Sequence, residues 1–361
     1  MVAMSVSVVG QNRKTKNVII ITLDGFRWQE VFNGADLDIV NNKKFTTDTS
    51  VQDLYTDPSP TRRRELLMPF FWNTIGTKGQ LYGNRYYNNN VNCANLYWFS
   101  YPGYSELLVG FVSRKIKTND PIENPNTTVL DFIQQQPGFQ NKVAAFGTWD
   151  VVNNIVREQT SHIPVNAGND KAVGNISVTE GFLNELQDLI PNPYGARYDG
   201  ITFYYAFEYL KRERPRVMFI SLDETDEHGH GGRYDEYLKS AHATDQMISN
   251  LWDWVQSDPE YKDQTTLIIT TDHGRGDNAK KGWKRHGLLF SGSGQIWFAV
   301  LGPDTPPFGE MKNNRLHFQK QIAKTAASFL GLEYSNVFPV GREIKSMIYP
   351  LAHSDQFAVE K

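Results

Sequence analysis

The sequence predicts an α/β fold, a largely parallel central sheet with helices on both faces, and two patterns carry that expectation. Compact apolar runs rich in β-branched residues recur at 18–23, 143–146, 217–222, 267–271 and 296–301, and helix-like spacing fills most of the intervals. Strands apolar on both sides and alternating with helices are what a covered parallel sheet requires.

In chain order, the segment 65–75 reads as a helix ahead of the glycines in GTKGQLYGN, and 196–212 as one ending at the proline of RERPR. The clearest helix spans about 234–255, where Leu238, Ala241, Asp245, Ile248 and Trp252 follow three-or-four spacing. A closing helix over 317–330 is expected to stop at Gly331. No Ser/Gly/Pro-rich linker divides the chain, so 17–361 is expected to form one catalytic domain with surface excursions near 35–61 and 153–175. Residues 1–16 read as a flexible N-terminus or the remnant of a secretory signal, which leans the expected location towards periplasm or secretion.

Composition narrows the function. Of 361 residues, 37 are Lys or Arg and 40 Asp or Glu, a net charge of −3 that gives no general field for a nucleic-acid polymer. No apolar run reaches the ~18–20 residues of a membrane span. The single cysteine, Cys93, rules out an internal disulfide and a cysteine-based zinc site. Any metal must therefore use histidine and carboxylates.

Polar residues that follow an apolar run matter most, because open parallel sheets bind ligands beyond the carboxyl ends of their strands. Asp24 follows the first run; Asp223, Asp226, His228 and His230 follow the third; Asp272 and His273 follow the fourth. Taken singly, each aspartate reads equally well as a turn former or helix cap. Four of the eight histidines, 228, 230, 273 and 286, fall in the same region, and that concentration favours a metal site. Aspartate and imidazole suit zinc, with manganese or another divalent metal next, and there are ligands enough for two ions. Two such ions side by side suit in-line displacement at phosphorus. Ser100 precedes a Pro-Gly turn and a helical segment, and is the candidate nucleophile; the bland alternative is a helix-capping serine, with Ser105 as rival.

These residues resemble the alkaline phosphatase superfamily, in particular its nucleotide pyrophosphatase/phosphodiesterase-like branch. The resemblance lies in ITLDGFR, FSYPGYSELLVG, DETDEHGH, TTDHG and RHGLLFSGSGQIWFAVLGP, five motifs in the family's chain order. It implies that Asp24, Ser100, Asp272 and His273 hold one zinc and that Asp226, His230 and His286 hold the other. It also implies a covalent phosphoserine at Ser100, released by water. Asp223 and His228 are then supporting or ordinary polar residues. A sulfatase is disfavoured, because Ser100 to Tyr104 lacks the arginine of the C/S-x-P-x-R context. The branch commonly has threonine where Ser100 stands.

The expected partner is a small anionic phosphorylated substrate. Arg275 and Lys284, in RGDNAKKGWKR, and Asn119, about twenty residues after Ser100, are the candidate substrate-binding residues, with Asn124 the rival of Asn119. The basic loop tips the expectation towards a phosphatase acting on monoesters. The alternatives are a phosphodiesterase or nucleotide pyrophosphatase, then a phosphomutase, then a non-catalytic module that binds phosphorylated ligands.

Overall fold

The protein is described from a computed structural model that covers residues 13–191, 196–278 and 281–349. An eight-stranded sheet runs in the order β10-β2-β9-β7-β1-β6-β4-β5. Its strands are β1 (Asn17–Leu23), β2 (Gln80–Tyr82), β4 (Val143–Gly147), β5 (Val165–Ala167), β6 (Val217–Leu222), β7 (Thr265–Thr270), β9 (Phe298–Leu301) and β10 (Gly309–Glu310). Only β9 runs against its neighbours β2 and β7. A second sheet joins β3 (Asn89–Asn92), β8 (Gln295–Ile296) and β11 (Arg315–Phe318) in the order β11-β3-β8.

The central strands carry apolar side chains on both faces. Ile19, Ile21 and Leu23 of β1 enter one hydrophobic cluster, and Val18 and Ile20 enter the other. Period-two alternation therefore feeds two cores, which is why the run is uninterrupted in sequence. The register pairs Thr22 of β1 with Thr270 of β7 and with Ser221 of β6. The three strands end level, so the residues after them, Asp24, Asp272 and Asp223, emerge along one edge.

The long helix Tyr234–Ser257 and the helix Asp199–Glu213 stand close to their expected places. Three expectations need correction. The helix expected over 65–75 is two pieces, Pro60–Leu67 and a π-helical turn Phe71–Ile75, because Pro69 interrupts the ladder of hydrogen bonds. The run 296–301 divides between β8 and β9 and so serves both sheets. The closing helix begins only at Ile322, since Arg315–Phe318 pairs with β3 as a strand. Residues 35–61 carry short helices whose Ile39, Val40 and Val51 are fully buried.

Asp245 illustrates how a long helix supports a broken one. Its carboxylate accepts from the amides of Phe70 at 2.7 Å and Phe71 at 2.9 Å, at the start of the π-helical turn. Asp245→Ala is expected to cost about 2–4 kcal/mol, read from urea unfolding, because two buried donors lose their partner. Burial pushes Asp245 up to about 7, against the pull of those amides. The folded state then keeps a proton that the unfolded chain releases near pH ~4, so this residue's contribution to stability falls as pH rises from about 4 towards 7. Asp245→Asn should flatten that part of the profile.

Candidate active site

The candidate ligands come from several separate elements, and all of them reach the same edge of the sheet. Asp24 and Asp272 follow β1 and β7 and are 1% and 0% exposed. Asp226 and His230 lie one turn apart on the helix Glu224–Gly231, where a four-residue offset puts both side chains on one face. His286 follows the short helix Gly282–Lys284. Ser100 opens the helix Ser100–Val109, with Phe99 as the N-cap.

That last placement settles the capping alternative. The N-cap makes no side-chain hydrogen bond, and the Ser100 hydroxyl faces His273 Nε2 at 3.4 Å. Ser105 instead accepts from the amide of Asn124 at 3.1 Å inside the fold. The helix that Ser100 opens comes this close because of Gly103: a Cβ there would strike the carbonyl oxygen of Asp272 at 2.4 Å. Gly25 has a similar task at φ +59°, where a Cβ would meet Asp226 Oδ1 at 2.5 Å.

Two contiguous clusters result. In the first, His273 Nε2 lies 3.5 Å from Asp24 Oδ1 and 3.3 Å from Asp272 Oδ2. In the second, Asp226 Oδ2 lies 2.9 Å from His230 Nε2, which is 3.0 Å from His286 Nε2. The rings of His273 and His286 stack with centroids 3.9 Å apart, so the clusters touch. Ligand atoms of Asp24, Asp272 and His273 fall within 4.8 Å of one another, as do those of Asp226, His273 and His286.

Hydrogen bonding sets the character of both clusters. His273 Nδ1 faces the carbonyl of Gly274 at 2.9 Å, and His286 Nδ1 faces that of Trp98 at 2.9 Å. A carbonyl can only accept, so each Nδ1 carries the proton and each neutral ring turns an Nε2 lone pair inward. Burial, followed by the neighbouring imidazole for His273, lowers the basicity of both rings and keeps them neutral. Asp24 Oδ1 and Asp272 Oδ2 are buried and lack any hydrogen-bond partner. Buried acceptors, Asp24 Oδ1 and Asp272 Oδ2, therefore sit beside the His273 Nε2 lone pair with no donor of their own, which is costly unless cations fill the space. Burial, then repulsion by Asp272 and Asp226, raises Asp24 well above the ordinary carboxylate range, and burial lifts Asp272 to about 8. These residues fit divalent metal ions.

Several supporting side chains were not legible as such in the sequence. Tyr104, one turn after Ser100, donates to Asp24 Oδ2 at 2.9 Å and accepts from Ser221 at 2.9 Å. Gln319 donates to the carbonyl of Asp272 at 2.7 Å. Glu106 accepts from the amides of Ala94, Asn95 and Lys320, which holds the loop leading to Ser100. Trp98, at φ +52°, turns its carbonyl towards His286. The spacing of Tyr104 from Ser100 was the one available signal; the others depend on tertiary contact.

The candidate substrate-binding residues separate. Asn119 accepts from the amide of Tyr101 at 3.0 Å, so its own NH2 is the end left to donate beside Ser100. Asn124 is buried and spent on Ser105 and Asn126. Lys284 lines the mouth, a cavity of ≈ 430 Å³ shared with Phe99, His230, Arg285, His286 and Phe290. Arg275 requires a correction: it is 1% exposed and its guanidinium is taken up by Asp226 and the carbonyls of Trp283 and Lys284. It stands behind Asp226 and cannot meet substrate. Asp223 is buried behind the cluster, and His228 faces a neighbouring cavity. Of the other histidines, His242 bonds the carbonyl of Leu67 and His317 packs on Tyr82, while His353 lies outside the described residues.

Comparison with known proteins agrees with this fold. Similar solved folds include a wild-type alkaline phosphatase PafA (TM-score 0.58, 11% identity, 94% of this chain and 99% of that one). They also include the lipoteichoic acid synthase LtaP from Listeria monocytogenes (0.56, 13%, 91% and 75%) and BT1596, a 2-O GAG sulfatase (0.58, 12%, 92% and 74%). At such identities the likeness is one of fold. No curated protein sequence matches the chain. Residues 35–287 match the family model described as type I phosphodiesterase / nucleotide pyrophosphatase. With more than half its length matched, the chain belongs to the type I phosphodiesterase / nucleotide pyrophosphatase family, on a fold like that of a solved alkaline phosphatase.

Proposed function

We propose that the protein hydrolyses phosphoric esters through a covalent phosphoserine at Ser100, with diesters preferred over monoesters. The observation that carries this is the convergence of unpartnered buried carboxylate oxygens and inward Nε2 lone pairs around one serine hydroxyl. Asp24, Ser100, Asp272 and His273 would hold one zinc ion, and Asp226, His230 and His286 the other, with manganese as the substitute. Bound there, the cations would lower the pKa of the serine alcohol and balance charge on the phosphoryl oxygens.

The protein's own groups do the rest. Ser100 Oγ attacks phosphorus, a new O–P bond forms, and the ester oxygen leaves with its electron pair. Water then attacks the phosphoserine and returns the hydroxyl. The NH2 of Asn119 is placed to steady a phosphoryl oxygen, and Lys284 supplies charge at the mouth. Tyr104 holds Asp24, and Arg275 holds Asp226. A second cavity of ≈ 630 Å³, lined by Ile190, Ala196, Tyr198, Ile201 and Glu224, reaches His230 and offers room for the rest of the ester.

The preference for diesters follows from charge. Two divalent ions bring +4, and three aspartates with a serine alkoxide bring −4. The buried guanidinium of Arg275 adds one positive unit, which matches the single charge of a diester. The monoester expectation leaned on the basic loop around 275–285, and one of its cations, Arg275, is turned inward to Asp226.

Turnover of p-nitrophenyl phosphate and of its bis-ester tests this reading. The bis-ester should turn over faster, stop after EDTA and recover with zinc. Activity indifferent to chelator, or an isomerised phosphorylated product in place of hydrolysis, would overturn it.

A further inference from the structure

The helix Glu224–Gly231 carries Asp226 and His230, yet its own N-cap, Asp223, makes no side-chain hydrogen bond to the first turn. The carboxylate that meets its leading amides comes from another helix. Asp199, the first residue of Asp199–Glu213, accepts from the amide of Asp223 at 2.8 Å and from that of Glu224 at 3.1 Å. In return, Glu224 Oε1 accepts from the amide of Asp199 at 3.3 Å, and Glu224 Oε2 accepts from the Ser240 hydroxyl at 3.3 Å. Two helix starts thus exchange carboxylates. This is the reciprocity of a capping box, made between two helices instead of within one, and a carboxylate is the charge that a helix start attracts.

Asp199 is itself held from behind. It is buried, and Arg197 Nε donates to Thr202 Oγ1 at 2.8 Å, the Thr202 and Thr148 hydroxyls lie 2.8 Å apart, and Thr148 donates to Asp199 Oδ1 at 2.6 Å. A guanidinium only donates and a carboxylate only accepts, so Thr202 gives its proton to Thr148 and Thr148 gives its own to Asp199. The relay is moored to the sheet. Arg197 donates to the carbonyl of Asn166 in β5 at 2.9 Å, and the amide of Thr148, just past β4, donates to the carbonyl of Ser221 in β6 at 2.9 Å. Among the described residues Asp199 bonds none of the candidate metal ligands, so any effect on them passes through the helix that it caps. A shift of that helix moves Asp226 and His230 together, whereas Asp24, Asp272 and His273 follow β1 and β7.

Resting on the two-ion reading above, we infer that Asp199 is a positioning residue for the metal site of Asp226, His230 and His286. It caps the ligand-bearing helix from outside and fixes where two of the three ligands stand, and Thr148 sets the direction of its carboxylate. Partners that orient ligands raise metal affinity without touching the metal.

Zinc titration of metal-free protein against a chromophoric chelator, which yields one dissociation constant per ion, tests this. In Asp199→Ala one constant should rise at least about tenfold while the other stays within about threefold. On an Asp226→Asn background, where only the first ion remains, the same change should add less than about threefold. Asp199→Asn keeps an acceptor for the Asp223 amide and should regain most of the loss. Thr148→Val should weaken the same ion by about threefold. Asp245→Ala lowers stability without touching the cap, and should leave both constants within about threefold. In metal-free protein, amide hydrogen exchange over 223–231 should quicken at least about tenfold in Asp199→Ala, with Ser100–Val109 within about twofold. Both constants unchanged, both weakened alike, or an equal loss in Asp245→Ala would overturn the inference. A native chain that takes up a single ion would instead sink the two-ion reading, and the exchange measurement would still decide whether Asp199 holds the helix.

Discussion

Ser100→Ala is expected to lower kcat by about 10⁴-fold or more, the scale on which removal of a covalent nucleophile acts, while the protein stays folded and keeps its cations. Stability should hardly move, because the hydroxyl caps no helix: Phe99 is the N-cap, and among the described residues Ser100 Oγ is paired with His273. Ser100→Thr retains the alcohol and should recover activity to within about tenfold, since a hydroxyl at the same atom can attack in the same way. Single-turnover kinetics with acid quenching should trap phosphate on the native chain and none on the alanine variant. Equal activity in the native and alanine proteins would remove the covalent step.

The second large effect concerns the carboxylates without their cations. In metal-free protein, burial and mutual repulsion raise Asp24, and burial, with repulsion from Asp226, lifts Asp272 to about 8. The unfolded chain loses these protons near pH ~4, whereas the folded chain keeps them. The unfolded state therefore binds fewer protons across the window from about 4 to 8, and stability of the metal-free protein should fall as pH rises through it. Zinc removes the need for those protons, so the loaded protein should gain most from metal at the upper end. Asp272→Asn is expected to raise the Tm of metal-free protein at pH 8, on the order of 5 °C, and to abolish most of the stabilisation by zinc. Calorimetric scans at pH 5 and pH 8, with and without zinc, check both signs. A metal-free Tm that rises with pH while the variant stays lower would contradict the assignment.

The fold was legible where local pattern and burial agreed. The runs that became β1, β6 and β7 are apolar on both faces because two cores cover them, and such strands announce themselves. The segment 296–301 did not, because a chain that leaves one sheet and enters the next looks continuous when both halves are buried. The helix expected across 65–75 failed for a local reason, Pro69, and the strand Arg315–Phe318 for a distant one, its pairing with Asn89–Asn92.

The same division runs through the site. Asp24, Asp226, His230, Asp272, His273 and His286 could be put forward from residue type and from their places near strand ends and on one helix, and the structure brings them close together. Arg275 misled, since its charge was visible and its direction was not. Only folding shows that its guanidinium turns inward to Asp226 and two backbone carbonyls. Glu106 and Gln319 were invisible for a similar reason, as each reaches a backbone group distant in sequence, Lys320 for Glu106 and Asp272 for Gln319.

The most direct measurement is the number and place of bound metals. Protein dialysed against zinc and freed of excess should carry two ions per chain by elemental analysis. Anomalous scattering from its crystals should place one among Asp24, Asp272 and His273 and the other among Asp226, His230 and His286. Asp226→Asn should reduce the count to one. A native chain that retains no zinc, or that binds it with these side chains standing clear, would contradict the account.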